Sequence, residues 1–199
     1  MESIIKNGYE RIMHLFYTDK KTKIHLRDIA RKAKMNENSA SIFLNQLRKD
    51  NILKAEKDGN LKKYSINKNN QVYLIFSIFD ILKYEKLESK RKNAISFFLN
   101  KLQEKPLIAV LFGSTAKENH DEKSDIDLLL IVNKKIKTEK AENYSEAQTG
   151  IKISCFQITY NSFLQELKTK SDNLIQSAIN TGYPILNNLN YYSLCYNED

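Results

Sequence analysis

Two short segments of the chain combine residue types that can do phosphate and metal chemistry. Gly113-Ser114-Thr115-Ala116 follows the apolar run Leu107–Phe112, and Ser124-Asp125-Ile126-Asp127 opens a second one, Leu128–Val132. Apolar runs of this length, so bounded, read as buried strands. Side chains at i and i+2 of a strand share one face, so Asp125 and Asp127 project together. Two carboxylates side by side repel unless a cation lies between them, which is how Mg2+ sites for triphosphates are built. A glycine at 113 lets the backbone approach a phosphate closely, and the Ser114 hydroxyl with nearby N–H groups can bind it.

The order and spacing of these residues resemble the polymerase-β-type nucleotidyltransferase signature, Gly-Ser followed by Asp-x-Asp. The closer resemblance is to the minimal form found in small prokaryotic proteins, over about residues 106–187. It implies Asp125 and Asp127 as the catalytic pair holding Mg2+ between nucleotide phosphates. It implies Gly113 and Ser114 on the β and γ phosphates of a nucleoside triphosphate, ATP, with Lys117 neutralising the leaving pyrophosphate. The reaction implied is transfer of a nucleoside monophosphate to an acceptor hydroxyl, which asks the protein mainly for positioning and charge neutralisation. Two positions depart from the pattern. Fully equipped members carry a third carboxylate on a later strand, and the matching strand here, Ile151–Ile158, places Ser154 there and holds no acid. Glu118 stands where the family often has glycine, bringing a carboxylate towards the phosphates. Glu139, Glu142 and Glu146 in the intervening segment are candidate substitutes for the missing acid. Nucleotide and Mg2+ binding is therefore expected ahead of efficient transfer.

The elements upstream point to a different partner. Ile4, Ile5, Tyr9, Ile12, Met13, Leu15 and Phe16 recur at helical spacing, predicting a helix that ends near Thr18-Asp19. Leu26–Ala33 predicts a short second helix, Lys34-Met35 a tight turn, and Asn36 the N-cap of a third helix to about Asp50. Ala40, Phe43, Leu44 and Leu47 line its inner face; Ser39, Ser41, Ile42, Asn45, Arg48 and Lys49 point largely outward. Ile52–Glu56 and Leu61–Ile66 read as strands around Lys57-Asp58-Gly59-Asn60, a hairpin signal. Lys54, Lys57, Lys62 and Lys63 on that hairpin suit a wing lying along phosphates. These residues resemble a winged helix-turn-helix regulator domain, which implies double-stranded DNA as partner. The candidate DNA contacts are Ser39, Ser41, Asn45, Arg48, Lys49, Lys62 and Lys63.

Charge divides the chain the same way. Residues 1–69 hold 16 Lys and Arg against 8 Asp and Glu, so the whole formal excess of +8 lies there. A basic small domain joined to a neutral larger one suggests a polyanion for the first and other work for the second. Residues 68–105 contain no Gly or Pro and read as one or two helices stopped by Pro106. The fold class expected is α+β: a winged helix over 1–69, a helical connector over 70–105 and a nucleotidyltransferase-like mixed β-sheet flanked by helices over 106–199. The connector offers a seam for a homodimer spanning two DNA half-sites.

Composition narrows the rest. Cys155 and Cys195 form no CxxC pair, and His14, His25 and His120 lack ligand spacing. The N-terminus has no signal-peptide core, and the most apolar stretch, Val72–Leu82, is far short of a membrane span. A soluble, cytoplasmic protein with no membrane partner is expected. Ser171-Asp172-Asn173 caps a helix that Gly182 stops. Tyr191, Tyr192 and Tyr196 suit either a packed C-terminal tail or a base-stacking surface. Three roles follow: a DNA-binding transcription regulator with a nucleotide-binding domain, an active transferase modifying protein or RNA, or an antidote that modifies a partner toxin.

Overall fold

The computed structural model describes residues 7–20, 22–122 and 124–197. It divides into two compact units, Met1–Phe79 and Asp80–Asp199.

The first unit is a winged helix. Its elements are α1 (Asn7–Thr18), β1 (Ile24–His25), α2 (Leu26–Lys32), α3 (Glu37–Lys49), β2 (Leu53–Asp58), β3 (Leu61–Ile66) and the first part of α4 (Asn70–Glu85). Ile4 and Ile5 of the expected first helix lie outside the described residues. Asn36 caps α3 as expected, its side chain accepting a hydrogen bond from the Ser39 N–H at 2.7 Å. Lys34 and Asn51 close α2 and α3 in the left-handed region, and Met35 and Ile52 reach back to the Ala30 and Leu47 carbonyls. Ile12, Met13 and Phe16 of α1, Ile29 of α2, and Ala40, Leu44 and Leu47 of α3 are buried together with Val72 and Phe76 of α4. Phe43 is only half-buried and meets the Tyr9 ring edge-on at 4.7 Å. The sheet has the order β1-β3-β2, all antiparallel. Its hairpin turns tighter than the sequence suggested: Asp58 pairs with Leu61, so the loop is Gly59-Asn60, with Gly59 at φ +59°.

The second unit holds the end of α4, α5 (Ser89–Lys101), β4 (Ile108–Phe112), α6 (Gly113–Ala116), β5 (Ile126–Val132), α7 (Glu139–Thr149), β6 (Ile153–Thr159), α8 (Tyr160–Thr169), α9 (Asn173–Thr181), β7 (Tyr183–Leu186) and α10 (Asn188–Asn197). Residues 70–105, read as a connector, are thus α4, which crosses from one unit to the other, and α5, which packs on α7 inside the second. The sheet order is β6-β5-β4-β7; β5 and β6 run parallel, and β4 is antiparallel to both β5 and β7. Alternation gives the sheet two covered faces. Ile126, Leu128, Leu130 and Val132 join Ala94, Ile95, Phe98 and Ala141 in one core. The opposite face carries Asp127 and Leu129 and is covered by α8, α9 and α10. Asp172 caps α9 through the Leu174 and Ile175 N–H groups, and Gly182 ends that helix. Tyr191 and Tyr192 are buried and Tyr196 nearly so, which makes them packing residues rather than a base-stacking surface.

Candidate functional site

The strand register brings the predicted site residues of the second unit together. Asp127 lies opposite Phe112 of β4 on one side and Ser154 of β6 on the other. Phe112 leads directly into the Gly113 turn, so that turn and Asp127 are neighbours across the sheet. Gly113 sits at φ +70°, and a Cβ there would fall onto the Asp127 carboxylate. Only a residue without a side chain can leave that carboxylate where it is. The turn continues through the half-buried Ser114, and Lys117 is exposed just beyond it, its N–H bonded to the Gly113 carbonyl at 3.2 Å.

Asp125 stands immediately before β5, two residues from Asp127 and on the same face. The Ser154 hydroxyl donates to its Oδ2 at 3.0 Å, and the Lys152 ammonium lies 3.5 Å from the same oxygen. Burial, and then the charge of Asp125, holds the Asp127 carboxyl above the usual carboxylate range. A cation between the pair would favour the ionised form and oppose that shift. Among the described residues no group of three His, Cys, Asp or Glu side chains is placed to hold a metal. Two carboxylates alone suit Mg2+, which keeps part of its shell for water and phosphate oxygens, and do not suit an all-protein cage. Asp125 and Asp127 could hold such an ion, with the phosphates of a ligand completing its coordination.

The glutamates proposed as substitutes for a third acid do not reach this face. Ala141 of α7 belongs to the core on the other side of the sheet, and Glu142 faces Cys155, whose thiol is pushed up to about 12 by burial and then by that charge. Glu118 takes a left-handed conformation at φ +58°, the backbone reason a glycine would suit this position. Its charge is felt by Lys83 and Tyr183.

Arg91 is a residue the sequence did not reveal. Set between Lys90 and Lys92 on α5, it reads as one more solvated cation, yet it is 1% exposed. It donates to the Thr115 hydroxyl at 2.9 Å and to the carbonyls of Asp121 and Ser124 at 2.7 and 3.1 Å. One side chain thus ties the glycine turn to the segment that delivers Asp125. Lys152 was missed as well, because a lysine entering an apolar strand carries no signal of its own.

In the first unit α3 presents a polar row. Asn38, Ile42, Asn45 and Lys49 are all exposed and recur at helical spacing, with Arg48 beside them. Ser39 and Ser41 are half-buried on the flanks, and the Ser39 N–H is held in the Asn36 cap. On the hairpin, Lys63 is paired with Asp58 at 2.7 Å and Lys54 with Glu56 at 3.6 Å. Lys57 and Lys62 face each other across the strands, with no ion pair to either among the described residues.

Residues 92–190 match the family described as polymerase beta, nucleotidyltransferase. No curated protein matches the chain. Similar solved structures include a protein from Archaeoglobus fulgidus (13% identity, 43% of this chain and 94% of that one, TM-score 0.39). Another is the homodimeric winged helix-turn-helix DNA-binding domain of a possible ArsR-family regulator from Mycobacterium bovis (23% identity, 41% and 71% covered, TM-score 0.33). A third is Lactococcus lactis ZitR in complex with DNA (18% identity, 50% and 75% covered, TM-score 0.30). The winged helix is identified here by its own element order, pairing and register. Joined to it is the segment that matches the polymerase beta, nucleotidyltransferase family, residues 92–190.

Proposed function

We propose that the protein is a cytoplasmic DNA-binding transcriptional regulator whose second unit binds a nucleoside triphosphate, ATP, together with Mg2+. One observation carries the nucleotide half: the Asp127 carboxylate is seated where a Cβ at position 113 would fall, against the Gly113 turn, with Asp125 beside it. The turn supplies backbone and the Ser114 hydroxyl to phosphates, the two carboxylates supply ligands to the metal, and Lys117 stands exposed beyond the turn as a counter-charge. An Mg2+ ion held by Asp125 and Asp127 would supply neutralisation of phosphate charge. The polar row of α3, Lys57 and Lys62 facing each other on the wing and the basic excess of residues 1–69 support DNA as the partner of the first unit.

Ser154 supports holding the nucleotide over transferring it. Its hydroxyl donates to Asp125 at the position matched to the third acid, and an alcohol cannot take up the acceptor's proton as a carboxylate would. Melting curves of the full chain with ATP, in Mg2+ and in EDTA, test the proposal. A rise in melting temperature that needs both ATP and Mg2+ is expected, and its absence would overturn the nucleotide half. Incorporation of label from α-labelled ATP into a protein or RNA acceptor, including a small toxin-type partner, would replace it with the transferase reading.

A further inference from the structure

Ile42 is 67% exposed, the most exposed large apolar side chain among the described residues. It sits in the middle of the outermost row of α3, with Asn38 four residues before, Asn45 three after and Lys49 at the end. Among the described residues no side chain of the first unit covers it, and neither asparagine has a hydrogen-bond partner. The two arginines of α2 are occupied elsewhere, Arg27 by Glu37 at 3.6 Å and Arg31 by Asp28 at 2.9 Å. The row therefore offers one apolar knob and two neutral amides, with its single cation at one end.

We infer that this row reads A·T base pairs in the major groove, with Ile42 packed on a thymine methyl and Asn45 on the edge of an adjacent adenine. The inference rests on the DNA-binding reading above. Thymine is the base that presents a methyl group in the major groove, and an asparagine amide matches the N6 donor and N7 acceptor of adenine. Guanine is read by a bidentate arginine or lysine, and no cation stands at the centre of this row. Arg48 and Lys49, with Lys57 and Lys62 on the wing, are left for phosphates, which fix position without reading sequence.

The test uses the full chain. Binding sites are selected from a random 20-bp duplex library, a length of about two helical turns, and affinities are then read by fluorescence anisotropy. An A·T-rich half-site is expected. Replacing its thymines by deoxyuridine, which lacks only the methyl, is expected to weaken the wild type about fourfold at the contacted position, the worth of one buried methylene. Ile42→Ala is expected to lose the same factor on thymine and to be indifferent to the swap. Asn45→Ala is expected to lose about tenfold or more on the selected site and little on others. A G·C-rich consensus, binding without preference, or indifference of the wild type to deoxyuridine would overturn the inference and leave DNA binding standing. Failure to bind any duplex would overturn both.

Discussion

Gly113 and Asp127 compete for one small volume, which decides how each can be changed. Gly113→Ala places a methyl on the Asp127 carboxylate and asks alanine to hold φ +70°. The left-handed conformation alone costs about 1–2 kcal/mol. The variant is expected to melt lower and to lose Mg2+-dependent nucleotide binding; ATP affinity equal to wild type in calorimetry would show that the turn does not position Asp127. Asp127 behaves in the opposite way. Its carboxyl is raised by burial and by Asp125, so its proton is held more tightly in the folded chain than in the unfolded one. The stability this contributes is present at low pH and lost as pH rises through its raised value. Asp127→Asn is therefore expected to melt no lower than wild type at pH 7 in EDTA, with nucleotide binding reduced at least tenfold. A clear fall in its EDTA melting temperature would contradict that assignment. Ser154→Asp adds a third charge beside the pair. It is expected to melt below wild type in EDTA and to gain more than wild type from Mg2+ alone, read as the shift in melting temperature.

At the scale of elements, what was legible followed periodicity and capping. The Asn36 cap, the apolar positions of α3 and the run into Gly113 each carry a local physical cause, and each stands where the sequence placed it. Asn36→Ala is expected to cost about 1 kcal/mol, seen as a lower melting temperature of the first unit, without changing nucleotide binding. Elements without such a cause were not legible. Strand β1 is two residues long and exists only because Ile24 and His25 pair with Tyr64 and Lys63. Strand β7 contains Pro184 and pairs across a register shift between Ala109 and Val110. Arg91 was hidden for the same reason: its burial is decided by carbonyls about 30 residues away. In the α7 glutamates the sequence supplied charge but no direction, and the sheet's alternation turns them from the site.

For the whole molecule, the charge asymmetry is the feature that composition alone makes visible. The first unit carries the excess that a polyanion requires, and the placement of Lys57 opposite Lys62 concentrates part of it at the wing. Like charges in direct opposition repel, and a phosphate between them relieves the repulsion. Lys62→Ala is expected to weaken every duplex alike and to lower the slope of log affinity against log salt by about 1; an unchanged slope would remove the wing from the interface. Nothing in that experiment is expected to touch the second unit, whose proposed nucleotide site lies at Asp125 and Asp127. The decisive measurement is calorimetric titration of ATP into the full chain with Mg2+, repeated in EDTA and with Asp125→Asn. Saturable binding in Mg2+ that disappears in EDTA and in the variant is the expected result. Binding indifferent to the metal and to Asp125, or no binding at all, would contradict the assignment of these carboxylates as a nucleotide site.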